Sequence, residues 1–114
     1  MMDIRAILRA RLDAAVGSDQ VLTDPADMAP FLSDWRGRYH GLAAAVVRPG
    51  STDQVAAVVR ACADLAVPIV PQGGNTGQCG GATPDARGNA IVLSLVRLNR
   101  VRAVAPANAT LTVE

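Results

Sequence analysis

The sequence predicts an α/β (α+β) fold built around one βαβ unit and a glycine-rich loop. An amphipathic helical pattern lies between two short apolar strand patterns within residues 43–70, roughly the thirty-residue spacing of a βαβ unit. Five of the ten glycines then fall within residues 73–81, directly after the second strand pattern. Three further strand patterns follow the loop, over 90–95, 100–104 and 110–114.

Two helices are predicted before this unit. Apolar residues at helical spacing indicate a helix over 3–16, and Gly17 ends it. Asp24 followed by Pro25 is typical of a helix start, so we expect a second, short helix that runs to about Leu32.

The βαβ unit begins with a strand over 43–47. Ser51 and Gln54 match a capping box, in which the serine hydroxyl covers an N–H of the first turn and the glutamine reaches back. The helix that follows, 52–66, leads to a second strand over 68–70, and the two strands are predicted to run parallel. The predicted buried face of the helix comprises Val55, Val58, Val59, Cys62 and Leu65.

Two regions are expected along the chain. Residues 1–41 form a helical lead with an irregular segment, and residues 42–114 form the first part of a larger domain. Pro106 and Asn108 turn the last two strands into a hairpin. The sequence stops at Glu114 in what the pattern makes the middle of a strand, so we expect a fragment whose cap and C-terminal domains are absent.

Charge and composition exclude several classes of function. The net charge of +1 is spread along the chain, which argues against a nucleic-acid partner. All eleven basic residues are arginine. The chain therefore has no lysine for a Schiff base or for a Walker-type phosphate loop.

The lengths of the apolar runs and the numbers of cysteines and histidines bear on the compartment and on metal binding. No apolar run approaches the ~20 residues of a membrane span, and the N-terminus lacks the apolar core of a signal peptide. We expect a cytoplasmic protein without a membrane span. The cysteines Cys62 and Cys79 and the single histidine, His40, cannot assemble a metal site, so no metal residue is assigned.

The glycine-rich loop is the chemically informative part of the chain. Glycine admits positive φ and carries no side chain, so backbone N–H groups can converge on a phosphate or diphosphate. The spacing GxGxxG is absent, and Pro84, Gly88 and Asn89 prevent a long helix after the loop, which argues against a Rossmann nicotinamide site. The alternative is a flexible or tightly turned surface loop without a ligand.

Several blocks of the sequence resemble one flavoprotein family. The run VPQGGNTGQCGGATP, preceded by VVRPGSTDQVAAVVRACADLAVPI and followed by IVLSLVRLNRV, is similar to the N-terminal part of the FAD-binding domain of vanillyl-alcohol-oxidase and para-cresol-methylhydroxylase (PCMH-type) flavoproteins. Within that family the similarity is closest to the group of D-2-hydroxyglutarate dehydrogenase, D-lactate dehydrogenase and glycolate oxidase subunits. It covers residues from about Leu32 to the end of the chain.

The resemblance implies FAD, with its diphosphate held by backbone amides of the loop. The cofactor-binding residues it implies are Pro71, Gln72, Gly73, Gly74, Asn75, Thr76, Gly77, Gly80, Gly81 and Ser94. In relatives with covalently attached flavin, a histidine aligns with Thr76; threonine cannot form that bond, so non-covalent FAD is expected. Cys79 is interpreted as a small filler of the loop, and Ser94 either approaches the flavin or faces water.

Other residues have two interpretations each. Arg48, at a strand end, neutralises a phosphate or is simply solvated. The polar aromatic cluster in the irregular segment packs over the domain edge or contacts the cofactor or a neighbouring domain. Its members are Trp35, Arg36, Tyr39 and His40.

The activity implied by the resemblance is transfer of hydride from the α-carbon of a D-2-hydroxy acid (2-hydroxyglutarate, lactate or glycolate type) to the flavin. No residue of this chain is assigned a catalytic role, and the 114-residue chain alone is expected to be inactive. The substrate would bind through absent domains, and the chain would associate through a sheet edge or with a complementing subunit. The alternative is a non-catalytic, stand-alone nucleotide- or partner-binding module.

Overall fold

A computed structural model describes residues 3–114. The helices are α1 Ile4–Val16, α2 Pro25–Met28 and α3 Thr52–Asp64, and the strands are β1 Val21–Leu22, β2 Ala45–Val47, β3 Ile69–Gln72, β4 Ile91–Ser94, β5 Val101–Ala105 and β6 Thr110–Val113. The first four strands form one sheet, and β5 and β6 form a separate hairpin. Among residues 3–114, no helix has the length and apolar character that crossing a membrane requires.

Capping residues mark both ends of the first helix and the start of the second. Gly17 terminates α1 with φ of 87° and donates its N–H to the carbonyl of Asp13. The carboxylate of Asp24 caps α2 by accepting from the amide of Ala26 at 2.8 Å. The predicted second helix continues as a 3₁₀ turn, Ala29–Phe31, so only its first half is α-helical.

The cap of α3 differs slightly from a standard capping box. Ser51 Oγ accepts from the amide of Gln54 at 3.2 Å, as predicted. Gln54 reaches back to the amide of Gly50, at 2.7 Å, instead of to that of Ser51. The prediction that Val59 belongs to the buried face of the helix is wrong, because Val59 is 43% exposed. It lies about 100° around the helix from Val58, outside the narrow stripe that faces the core.

The four-stranded sheet has the order β1-β2-β4-β3. β2 and β3 are both parallel to β4, so the parallel orientation of the βαβ strands is confirmed. β4 lies between them, and α3 therefore crosses over one strand position. β1, a two-residue strand antiparallel to β2, was not predicted from the sequence.

Both faces of the sheet are covered. Helices α1 and α3 pack on one face, against inward residues such as Val47, Ile91 and Leu93. Met28 of α2 covers Val46 and Val92 on the opposite face, with help from the 3₁₀ turn that follows α2. Because neighbouring positions of a strand alternate between two covered faces, β2 is apolar throughout, and β3 and β4 are apolar up to their last residues. The sheet is thus a rigid base for the loops at its carboxyl edge.

The predicted hairpin is confirmed, and its turn runs through Pro106–Asn108. An irregularity between Val101 and Ala103 shifts the pairing by one residue. Cross-strand partners share a face, so this shift places four apolar residues on one side of the hairpin. These are Val101, Val104, Leu111 and Val113, each between 54% and 64% exposed.

Candidate cofactor site

The connection from β3 to β4 leaves the sheet at the carboxyl end of its parallel strands, the edge at which open α/β sheets bind ligands. Its first part, residues 73–82, makes no regular structure. Within the described chain, 3–114, no backbone amide of residues 73–82 donates a hydrogen bond to another residue. Ten consecutive N–H groups of the loop are therefore available to a ligand or to water.

Four glycines of the loop border open space. A Cβ added at Gly73, Gly74, Gly77 or Gly81 would meet no other atom within 4 Å. A ligand can therefore approach the main chain there as closely as hydrogen bonding requires. Gly80 is different, because its φ is 78° and an added Cβ would lie 3.2 Å from the ring of Tyr39.

The side-chain amide of Gln72 holds the two ends of the loop together. Gln72 is the last residue of β3 and is only 3% exposed. Its Nε2 donates to the carbonyl of Ala82 and to the carbonyl of Phe31, both at 2.9 Å. Nothing in the sequence pattern indicated this inward orientation, because a polar residue at a strand end is more often exposed.

Asn75 makes a similar contact from within the loop. Its φ of 57° is a left-handed conformation, which asparagine tolerates better than most residues. Its Nδ2 donates to the carbonyl of Ser33 at 2.9 Å and lies 3.4 Å from that of Pro30. The Asn75 amide group therefore has no donor left for a phosphate, although its backbone N–H is free. The side chain of Thr76 is exposed and available.

The irregular segment 33–41 packs against the glycine-rich loop. Asp34 pins its turn, since Oδ1 accepts from the amides of Arg38 at 2.7 Å and Tyr39 at 3.1 Å. The ring of Tyr39 lies beside Gly80. Of the two interpretations of this cluster, packing over an edge of the domain is observed for Tyr39.

Trp35 and Arg36 lie at the exposed tip of the same segment. The indole is 60% exposed, and the Arg36 guanidinium lies 5.4 Å from its ring centroid. His40 is exposed and its Nε2 lies 3.1 Å from the carbonyl of Gly37. A contact of these three side chains with cofactor or with another domain stays a prediction.

Ser94 occupies the end of β4, opposite Gln72 in the parallel register. It is completely buried, so the alternative that it faces water is wrong. Its Oγ has no hydrogen-bond partner among residues 3–114. A buried hydroxyl without a partner fits a ligand group or a bound water at this edge, and the assignment to the flavin site stays a prediction.

Arg48 follows β2 on the same edge of the sheet. It lies two strand spacings from β3, or roughly 10 Å. Its Nε is buried and unpaired within the described chain, and its carbonyl accepts from Arg97 at 2.8 Å. Two arginines therefore lie on the carboxyl edge and raise the local positive potential.

The two cysteines have different environments. Cys62 is 1% exposed in the core, and burial raises the pKa of its thiol, a shift that nearby Arg11 partly opposes. Cys79 is exposed on the glycine-rich loop. Among residues 3–114, no group of three or more His, Cys, Asp or Glu side chains is arranged to hold a metal ion.

The carboxyl edge of the parallel sheet fits a phosphate-bearing cofactor. It offers free main-chain amides, glycines that border open space and an unpaired buried hydroxyl. The sequence profile described as "FAD binding domain" matches residues 43–114. The chain therefore belongs to the FAD-binding domain family of flavoproteins, and FAD is its cofactor.

Individual relatives agree with this assignment. The chain is 41% identical over 103 residues to the D-2-hydroxyglutarate dehydrogenase of Xanthomonas citri pv. viticola, which covers 90% of this chain and 21% of that protein. It is 36% identical over 97 residues to a D-2-hydroxyglutarate–pyruvate transhydrogenase of Saccharomyces cerevisiae, with 83% and 19% covered. The chain thus spans about a fifth of the length of these curated relatives.

Solved structures extend the comparison to the fold. p-Cresol methylhydroxylase superimposes with a TM-score of 0.75 at 24% identity, over 93% of this chain and 21% of that one. The predicted fold, the N-terminal part of a PCMH-type FAD-binding domain, is confirmed.

Proposed function

We propose that this chain supplies the diphosphate anchor for FAD in an oxidoreductase that converts a D-2-hydroxy acid to the 2-oxo acid. The observation that carries the proposal is the row of unbonded amides in residues 73–82. A diphosphate offers several charged acceptors to such a row, and hydrogen bonds to a charged acceptor are roughly twice as strong as those between neutral groups. Arg48 adds positive charge at the same edge.

The substrate class rests on the relatives. Two of them carry D-2-hydroxyglutarate in their names, and their similarity reaches over most of this chain. Bound FAD would supply the hydride acceptor for the substrate's α-carbon, and the protein would bind and orient both partners. The role of residues 3–114 is to bind and orient the cofactor, and no acid or base among them is assigned to the reaction.

Attachment of FAD is proposed to be non-covalent. Thr76 stands where covalently flavinylated relatives carry a histidine, and its hydroxyl is a poor nucleophile toward the flavin ring. Cys79 is exposed on the same loop, and no bond between its thiol and the flavin is proposed. Acid precipitation of the protein should therefore leave the yellow colour in the supernatant, and flavin in the pellet would contradict non-covalent binding.

The central test is the visible spectrum of the complete protein that carries this chain. We expect bands of bound flavin, and we expect D-2-hydroxyglutarate, D-lactate or glycolate to bleach them in the absence of an acceptor. The L-enantiomers of the first two acids are the matched controls. Bound flavin that no hydroxy acid bleaches would favour the non-catalytic binding module, and absence of flavin after reconstitution would contradict both.

The compartment is proposed to be the cytoplasm. Support comes from the two free thiols, Cys62 and Cys79, which a reducing environment preserves.

A further inference from the structure

The glycine-rich loop is tied to a part of the chain outside the matched family region. The segment from Pro30 to Tyr39, here called the clamp, precedes the profile match, which starts at residue 43. Gln72 and Asn75 reach this segment across separations of about forty residues, and they donate to the carbonyls of Phe31 and Ser33. The loop's shape therefore depends on contacts with residues that precede the profile match.

The side chain of Gln72 connects three parts of the chain at one buried point. Its Nε2 joins the start of the loop, the end of the loop at Ala82 and the clamp at Phe31. Both hydrogens of this amide are used, and its removal would leave two carbonyls without their donor. The amides of residues 73–82 can stay free of internal partners because side chains, not the loop's own N–H groups, hold the loop closed.

Asn75 fastens the middle of the loop to the same segment. Its left-handed backbone turns the chain there, and its side chain ties that turn to the carbonyl of Ser33. Tyr39 of the clamp, which lies against Gly80, supports the far side of the loop. The three contacts fall near positions 72, 75 and 80, and the free amides extend from residue 73 to residue 82.

We propose that Gln72 and Asn75 are positioning residues: their side chains bind the clamp, and the clamp holds the amides of residues 73–82 in the arrangement that accepts the diphosphate of FAD. This inference rests on the proposed function and adds to it a required element, residues 30–39. The side chains of Gln72 and Asn75 act on the cofactor through the loop, while the backbone N–H of Asn75 belongs to the loop itself.

The test compares Gln72→Met and Asn75→Gly in the complete protein. Methionine keeps the length of the Gln72 side chain without its N–H donors. Glycine keeps the positive φ of residue 75 and its backbone N–H, but removes the side-chain amide. Asn89→Gly is the matched control, because Asn89 is exposed on the same connection and makes no side-chain hydrogen bond within residues 3–114. The measurements are the Kd for FAD, the unfolding midpoint of the apoprotein, and hydrogen exchange with and without FAD.

We expect the Kd for FAD to rise about tenfold in each variant, from the loss of two hydrogen bonds, and to stay unchanged in Asn89→Gly. FAD should protect the amides of residues 73–82 from hydrogen exchange in the wild type. This protection should weaken in both variants, whereas the amides of β4 should stay as protected as in the wild type. A purely structural role would instead lower the unfolding midpoint and speed exchange throughout the sheet.

Two results separate this inference from the proposed function. Absence of FAD-induced protection at residues 73–82 in the wild type would overturn the diphosphate site itself. Protection in the wild type with unchanged Kd in both variants would leave that site standing and overturn the clamp. If Gln72→Met does not fold, Asn75→Gly decides the question alone, because Asn75 is less buried than Gln72 and glycine keeps its backbone conformation.

Discussion

At the scale of single residues, glycine has two distinct uses in this loop. Gly74 borders open space, so a larger side chain there meets nothing within the protein. Gly80 combines a positive φ with the nearby ring of Tyr39, so substitution strains the loop itself. The two positions therefore separate ligand approach from loop shape.

Gly74→Val is expected to abolish flavin retention without loss of stability, because the added methyl groups occupy the space that the cofactor approaches. Gly80→Val is expected to lose flavin and also to lower stability by roughly 1–3 kcal/mol, from backbone strain. Flavin absorbance per protein and chemical denaturation measure the two effects. Ala86→Val, an exposed change further along the connection, is the control, and unaltered flavin content in both glycine variants would contradict the site.

Cys62 and Cys79 should differ in reactivity. At about pH 8, iodoacetamide should modify exposed Cys79, whereas Cys62 should react only as the protein unfolds. Because burial raises the folded-state pKa of Cys62, its proton is retained after the unfolded thiol has ionised. The stability this gives is complete below the unfolded pKa of the thiol and is lost as the pH rises from there through the folded pKa. Rapid labelling of Cys62 in the native protein, detected by mass spectrometry, would contradict its burial.

At the scale of secondary structure, the caps explain why the helices were predictable. Asp24, Ser51 and Gly17 each act within a few residues, so a local pattern identifies them. The pairing of strands is not local. Nothing in the pattern of residues 91–94 indicates that this strand inserts between β2 and β3, and β1 is too short to show alternation.

Ser51→Ala should destabilise the protein by about 1 kcal/mol, since the amide of Gln54 loses its cap. Ser18→Ala is the control, because Ser18 is exposed and makes no side-chain cap. Urea denaturation should place the control within ~0.5 kcal/mol of the wild type. Equal stability of the two variants would show that the cap contributes nothing here.

The sequence allowed the chemistry of the candidate site to be predicted, but not the side-chain contacts that hold its loop in place. The glycine cluster indicated where amides would be free, because missing side chains are visible in the sequence. The inward turns of Gln72 and Asn75 depend on carbonyls some forty residues earlier, at Phe31 and Ser33. No spacing rule connects positions so far apart, so these contacts appear only in the folded chain.

At the scale of the whole molecule, the hairpin β5–β6 has no core of its own. Its four apolar residues share one exposed face, and a two-stranded hairpin alone is marginally stable in water. The 114-residue chain should therefore associate as its concentration rises, and Val104→Thr combined with Leu111→Thr should weaken that association. Sedimentation velocity measures the effect, and a monomer at high concentration would contradict it.

The central place of β4 in the sheet has a consequence for synthesis on the ribosome. The strand that joins β2 to β3 is made after both of them, so the nascent chain cannot close the sheet until residues near 94 have left the exit tunnel. Contacts between distant parts of a chain also form slowly. Flavin loading must therefore wait for this late strand, and a ribosome stalled before it would carry a chain unable to capture the cofactor.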